Sequence, residues 1–286
     1  MATEKNKVQG GTLYLVGTPI GNLSDISERA VKVLSEVDFI AAEDTRNSLK
    51  LLFALGIKNE LVSYHEHNRK SSGERIIERL LAGESCALIT DAGMPAISDP
   101  GEDIVRDCAE AGVSVAVVPG PSAVVSALAL SGLSTSRFAF EGFLPAGKGE
   151  RRARLEGVAR EDRTMIFYEA PHKLRGTLEA MAEVFGADRK IALCREMTKL
   201  NEEALRMTLG EAVGYYSERE PRGEYVLVLE GYSGSEDKRD NPCYDDDPET
   251  HVSNYQAQGS SRMDAIKQAA RDRGISKSEM YKLVNV

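Results

Sequence analysis

The chain has 286 residues and is 42% hydrophobic, which supplies one or two buried cores and favours about two domains. With 36 Lys and Arg against 45 Asp and Glu, its formal charge of −9 argues against indiscriminate nucleic-acid binding, so any RNA contact must be local. No apolar run approaches the ~20 residues of a bilayer span, the opening MATEKNKVQGG lacks a secretory core, and Cys86, Cys108, Cys194 and Cys243 lie too far apart for a zinc cluster, so a cytoplasmic, reduced, metal-free protein with no membrane contact is expected.

Short apolar runs rich in β-branched residues, TLYLVG, DFIAAE, ELVSYH, CALITD and VSVAVVP, alternate with helical patterns. That alternation predicts βαβ units, a mainly parallel sheet and an α/β fold. Between the first two runs, Ile26, Ala30, Val33, Leu34 and Val37 recur at helical spacing behind Asp25 and Glu28, a start resembling a capping box. After PGPSAVVSALALSGL, the runs RFAFEGF, RTMIFYE, KIALCRE and EYVLVLEG supply a second set of strands separated by charged helices. The expected organisation is an α/β domain over 11–119 and a second over 120–232.

From Ser233 to Glu249 seven acidic and two basic residues leave little that can form a core, and 233–259 reads as an acidic flexible linker. In 260–286, Met263, Ile266, Ala269 and Ala270 recur at helical spacing, Gly274 is a stop, and Ser276 to Glu279 reads as a capping box, so two short helices with a tight turn are expected. This tail holds six basic and three acidic residues. Such a charge suits a helix-turn-helix facing RNA phosphates, and equally a solvated pair docked on its own protein.

Three Gly/Pro loops follow strands. GTPIGN has G-x-x-x-G spacing, so neither the dinucleotide fingerprint nor a P-loop is present. TDAGMPAISDPG packs Asp91, Gly93, Pro95, Asp99 and Gly101 between a strand and a helix, and in VVPGPSAVV the residues Pro119, Gly120 and Pro121 end a strand before Ser122, a candidate cap. Each loop alone is a structural turn more often than a site; together they place backbone groups at the carboxyl edge of a sheet, where ligands bind. AAEDTR sets Glu43, Asp44 and Arg46 just after a strand, as a proton acceptor beside a phosphate contact or as an ion pair with a helix cap. YHEHNR sets His65 and His67 on one side of an extended segment, without a third metal ligand of suitable spacing. PAGKGERRARL gathers Lys148, Arg151, Arg152 and Arg154 into a local basic patch.

VGTPIGNLSDISERA, AAEDTR, HEHN, TDAGMPAISDPG, PGPSA, EGFLP, FYEAPHK and CREMTK together resemble the tetrapyrrole methylase-like superfamily and, within it, the bacterial 16S rRNA (cytidine-2'-O)-methyltransferases, from about Gly11 to Tyr232. KSEMYKLV is similar to that group's tail. The chain departs from the pattern in its long acidic linker and in GMP, where threonine often precedes the proline. The resemblance implies two α/β domains with a cofactor cleft between them plus a short C-terminal helical tail, S-adenosylmethionine as cofactor, 2'-O-methylation of cytidine 1402 (usual rRNA numbering) in the decoding centre of the small ribosomal subunit, and a homodimer.

On that basis the cofactor is expected against Asp91, Ala92, Gly93, Met94, Pro95, Ile97, Ser98 and Asp99, against Pro119, Gly120, Pro121, Ser122 and Ala123, and under Phe167, Tyr168 and Glu169 together with Glu196, Met197 and Thr198. Substrate contacts are expected from Asn22, Asp44, Arg46, His65, His67, Lys148, Arg151 and Arg152. Methyl transfer from sulfonium to oxygen needs near-linear alignment, and holding both reactants so is worth roughly 7–11 kcal/mol. A ribose hydroxyl is a poor nucleophile, so a proton acceptor adds about 10²–10⁴-fold; Glu43 and Lys199 are the catalytic candidates, with Asp44, His65 and His67 as alternatives. Lys199 serves only if desolvation or cationic neighbours lower its pKa.

Overall fold

The computed structural model describes residues 7–234, 247–273 and 275–284. Cys243, the expected stop at Gly274 and residues 235–246 of the acidic stretch lie outside the described residues.

The first five runs form β1 (Thr12–Val16), β2 (Phe39–Ala42), β3 (Glu60–Ser63), β4 (Cys86–Ile89) and β5 (Ser114–Val118), all parallel, in the order β3-β2-β4-β1-β5. Between them run α1 (Glu28–Glu36), α2 (Thr45–Ala54), α3 (Arg69–Leu81) and α4 (Gly101–Glu110). Helices cover both faces, so β2 and β4 are buried at every position and read as unbroken apolar runs. Alternation sends Tyr14, Val16, Ile40 and Ile89 to the face packed by Ala30, Val33 and Leu34 of α1, and Leu13, Phe39 and Leu88 to the face packed by Ile76, Leu80 and Ile104 of α3 and α4. Leu34 and Ile40 are 0% exposed, each stabilising by about 1.5–3 kcal/mol. The helix α1 starts at Glu28, where the Ser27 side chain accepts from the Ala30 N–H; the expected box at Asp25 is instead a separate 3-10 turn over Leu23–Asp25.

The second half contributes α5 (Ala123–Ser131), β6 (Phe138–Phe143), α6 (Lys148–Gly157), β7 (Thr164–Glu169), α7 (Pro171–Phe185), β8 (Lys190–Arg195), β9 (Glu203–Thr208), α8 (Leu209–Glu218) and β10 (Tyr225–Leu229). Their sheet is mixed, in the order β6-β7-β10-β8-β9, with β6 and β7 parallel and the remaining neighbours antiparallel. Strand β9 was not among the sequence expectations: it is an edge strand with polar residues along it and only half-buried. One face of this sheet carries Met165, Phe167, Leu193 and Leu227 against α7 and α8; the other carries Ile166, Ala192 and Val228 against Val124, Ala127 and Leu128 of α5. Both sheets belong to one compact unit, formed by the chain through Ala159 and by Arg163–Glu230.

Arg160–Asp162 and the chain from Gly231 onward form a second unit. It contains α9 (Pro248–Ala257), α10 (Arg262–Asp272) and α11 (Lys277–Leu283) around Val252, Ala265, Ile266, Ala269, Ala270, Met280 and Val284. The helix α9 falls inside the stretch expected to be linker and corrects that expectation. Asp247 caps it by accepting from the Glu249 and Thr250 N–H groups, Pro248 occupies its first turn, and His251 and Val252 are buried.

Candidate active site

The carboxyl edge of the first sheet and one end of the second enclose a cavity of about 460 Å³ within the larger unit. Loop positions are fixed by backbone contacts. Thr18 and Gly93 exchange N–H···O bonds of 2.9 and 3.1 Å, joining the glycine loop after β1 to the one after β4, and Thr18 Oγ1 donates to the Thr90 carbonyl at 3.1 Å. The third loop closes behind them: an added β-carbon on Gly17 would stand 2.7 Å from Gly120 Cα.

Two loops facing the cavity are strained. Among the described residues, the only non-glycine residues with positive φ are Ala96 (67°), Ser98 (62°), Glu196 (50°) and Thr198 (64°), alternating in AIS and EMT. Each such residue costs of order 1–3 kcal/mol and persists only where its surroundings dictate it. Here carboxylates do so: Asp99 Oδ1 accepts from the Ala96 and Gly101 N–H groups at 2.9 and 2.7 Å, Asp99 Oδ2 accepts from the Ile97 N–H at 3.3 Å, and Glu202 Oε2 accepts from the Thr198 N–H at 2.6 Å. Asp99 therefore shapes its loop rather than offering a free carboxylate.

Among the described residues the lining is electronegative, with Glu43, Asp99, Glu169, Glu196 and Glu224 against one cation, Lys199. Lys199 Nζ donates to Glu196 Oε1 and to Glu224 Oε2, each at 3.0 Å. Burial pulls the ammonium down, but the two carboxylate bonds outweigh it and its pKa is raised, while Lys199 holds the Glu196 carboxyl below its ordinary value. This is the opposite of the lowered pKa on which the expectation for Lys199 as proton acceptor depends. Glu169 is buried, with Oε1 accepting from the Ala170 N–H at 2.8 Å and Oε2 from the Thr177 hydroxyl at 2.5 Å. Glu43 Oε2 accepts from the Thr90 hydroxyl at 2.8 Å, and the described residues give its Oε1 no hydrogen bond.

An aromatic wall completes the cavity. The pairing of β6 with β7 shifts register between Phe140 and Gly142, whose φ is 68°, and this bulge turns Phe140 and Phe143 to the same side. Their ring centroids lie 5.0 and 5.3 Å from that of Tyr168, whose phenol pKa is raised by burial.

Of the expected cofactor residues, Ala92, Gly93, Met94, Ile97, Ser98, Asp99, Ser122, Ala123, Tyr168, Glu169, Glu196 and Met197 line the cavity, as do Glu43 and Lys199. Others do not. Phe167 points to the opposite face of β7 and is 0% exposed in the core, as alternation with Tyr168 requires. Asp91 Oδ2 accepts from Asn47 Nδ2 at 3.1 Å, the Gly120 N–H donates to Met94 Sδ at 3.3 Å, and Pro95, Pro119, Pro121 and Thr198 lie outside the lining.

Expected substrate residues are mostly engaged elsewhere. Asn22 caps the Leu23–Asp25 turn. Asp44 caps α2 and binds the Arg46 guanidinium, which holds its pKa near about 2. His65 and His67 follow β3 with ring centroids 5.9 Å apart, outside the cavity, and among the described residues no group of three or more His, Cys, Asp or Glu is placed to hold a metal. On α6 the basic patch divides into one buried and three exposed side chains. Arg151 is only 9% exposed, Arg152 pairs with Glu156 and Glu183, Arg154 pairs with Glu141, and Lys148 is exposed. The expectations missed Ile20, Thr90, Phe143, Ala170, Pro171, Glu224, Tyr225 and Val226 in the lining. Ile20, Thr90, Phe143, Ala170 and Pro171 stand inside motifs already singled out; Glu224, Tyr225 and Val226 enter because β10 is central, between β7 and β8, which no local signal reveals.

Residues 12–213 match the family described as Tetrapyrrole (Corrin/Porphyrin) Methylases. The chain is 47% identical over 272 residues to the Ribosomal RNA small subunit methyltransferase I of Bacillus subtilis (strain 168), covering 95% of this chain and 93% of that protein. It is also 47% identical over 221 residues to the protein of that name from Thermotoga maritima, covering 77% of this chain and 99% of that one. Among solved structures, uroporphyrin-III-C-methyltransferase from Thermus thermophilus superposes with a TM-score of 0.54 at 23% identity over 80% of this chain and 98% of that one, and a diphthine synthase with 0.59 at 16% identity over 77% and 90%; both likenesses concern the fold. With its two sheets and the cavity they enclose, the chain belongs to the tetrapyrrole methylase family, in the group of methyltransferases named Ribosomal RNA small subunit methyltransferase I.

Proposed function

We propose that the cavity binds S-adenosylmethionine and that the chain methylates the ribose 2'-oxygen of cytidine 1402 in 16S rRNA, in the small ribosomal subunit, acting in the cytoplasm as a homodimer. The observation that carries this reading is the excess of carboxylates around one locked ammonium. Such a lining favours a cationic ligand such as a sulfonium with its α-ammonium and repels phosphate, so the RNA backbone stays outside and only the reacting ribose reaches in. The cofactor supplies an electrophilic methyl group on positive sulfur.

The chain's own residues do the rest. The strained AIS and EMT loops, with Ser122 and Ala123, fix the ligand's orientation; Tyr168, backed by Phe140, and Phe143 offer ring faces to flat groups and exclude water. Glu43, held through Oε2 by Thr90, accepts the 2'-hydroxyl proton on Oε1. The rRNA acceptor is supported by the names of relatives at 47% identity over most of the chain. The half-exposed Val115 and Val117 on edge strand β5 support a second copy.

The test is transfer of labelled methyl from S-adenosylmethionine to small subunits purified from cells lacking this protein, with the modified nucleotide mapped. Label on the ribose of that cytidine is expected. Tight cofactor binding without transfer to subunits would move the assignment to a small-molecule acceptor.

A further inference from the structure

The three acidic residues of the α10–α11 segment are all consumed inside the small unit. Asp264 Oδ2 accepts from the Ser261 hydroxyl at 2.6 Å, Glu279 Oε2 accepts from the Ser276 N–H and hydroxyl at 2.9 and 2.8 Å, and Asp272 Oδ2 accepts from the Tyr255 hydroxyl at 2.6 Å. Two of the cations are used inside as well: Arg273 Nε donates to His251 Nδ1 at 3.0 Å and Arg262 Nη2 to the Val284 carbonyl at 3.3 Å. The remaining four, Lys267 and Arg271 one turn apart on α10 and Lys277 and Lys282 on α11, are exposed and have no partner among the described residues. Met263 and Tyr281, about half exposed, stand one turn from Lys267 and Lys277. Here the carboxylates are turned into caps and a part-buried network, and these four cations are exposed.

We infer that the α10–α11 pair is an RNA-docking surface that grips the phosphate backbone through Lys267, Arg271, Lys277 and Lys282. The inference rests on the rRNA reading of the preceding subsection. Two short helices, the second opened by the Ser276–Glu279 capping box, expose four cations able to meet phosphates, and an aromatic ring among them suits an unpaired base. The surface contributes affinity, not chemistry: none of its residues lines the cavity, and the Thermotoga maritima relative aligns over 99% of its length with only 77% of this chain.

The test uses the full chain with K267Q, R271Q, K277Q and K282Q combined. None of these side chains lines the cavity or packs in the three-helix core. Binding to small subunits from cells lacking the protein is measured across salt concentrations, alongside methyl transfer, S-adenosylmethionine affinity and a melting curve. The expected result is a salt slope shallower by about 3, a Kd for subunits raised at least about tenfold near 0.1 M salt, and unchanged cofactor affinity and melting. Unchanged subunit affinity and slope, with transfer intact in both proteins, would overturn the docking surface alone, and so would lost transfer at unchanged subunit binding. Absence of transfer by the unsubstituted chain would instead sink the rRNA reading.

Discussion

Gly21 and Lys199 lie in contact across the cavity's rim: a β-carbon on Gly21 would stand 2.4 Å from Lys199 Cγ and 3.0 Å from Thr198 Oγ1, and the Gly21 φ of 156° is one that side chains rarely adopt. The glycine loop of the first sheet is thus the seat against which the EMT loop rests. Gly21→Ala is expected to push the Lys199 stem away and loosen its bonds to Glu196 and Glu224. A loss of S-adenosylmethionine affinity of about tenfold, with the melting temperature lowered by only a few degrees, is the expected calorimetric outcome. Full affinity would mean that the contact does not position the loop.

The same ammonium makes a pH prediction. The raised Lys199 pKa contributes stability that is complete below its unfolded value near 10.5 and is lost as pH rises through the folded one; the lowered Glu196 pKa contributes stability that is complete above 4.5 and is lost as pH falls through the folded one. Cofactor affinity is therefore expected to be flat in this respect between about pH 5 and pH 10. Lys199→Arg retains most affinity, whereas Lys199→Met, leaving two carboxylates uncompensated, loses at least about tenfold. A rate rising with deprotonation of Lys199 would restore it as a base.

How much of this was legible in the sequence follows from what each feature depends on. The parallel sheet was readable because β2 and β4 are buried on both faces, and the loops because Gly and Pro punctuate them. Strand β9 and helix α9 were not, since an exposed edge and a capped helix rich in polar residues carry little apolar periodicity. Arg151 reads as surface in any basic run; that it is buried on α6 is a tertiary fact. Lys199 depends on Glu224, 25 positions away, brought to it by β10. Charge states of a site are set by such partners, so sequence names the groups but not which one is free.

Glu43 is the group left free. Its Oε2 is held by Thr90 while Oε1 is open, so Glu43→Gln is expected to lower single-turnover methyl transfer by about 10²–10⁴-fold with cofactor affinity unchanged. Thr90→Val should cost less, roughly tenfold, because it releases the carboxylate's orientation and keeps its charge. Equal losses from both, or weakened cofactor binding in Glu43→Gln, would place Glu43 in ligand binding instead.

Thr198 combines two unfavourable features, a β-branched residue at a φ of 64° and a buried Oγ1 without a hydrogen-bond partner among the described residues. Relief of this strain, of order 1–3 kcal/mol, exceeds the entropy that glycine adds to the unfolded chain, about 0.5–1 kcal/mol. Thr198→Gly is therefore expected to raise thermal stability by about 1 kcal/mol while lowering methyl transfer, since the loop is no longer held in one shape. A destabilised variant would show that the surroundings, not the residue, carry the cost.

The last prediction concerns His251, which is 0% exposed in the small unit and accepts on Nδ1 from Arg273 while its Nε2 lies 3.2 Å from Asp272 Oδ2. Nδ1 faces a guanidinium donor, so the proton sits on Nε2 and the buried ring links a half-buried anion to a half-buried cation. His251→Ala removes the link, leaves Asp272 and Arg273 each short of a partner, and opens a cavity beside Tyr255, whose ring stacks on His251 at 5.7 Å. A loss of roughly 2–4 kcal/mol follows for a unit whose small core includes three alanines, Ala265, Ala269 and Ala270. Hydrogen exchange should then show α9 to α11 opening in the variant while the two sheets keep their protection and the cavity keeps its cofactor affinity. Simultaneous opening of both units would instead mean that they unfold as one.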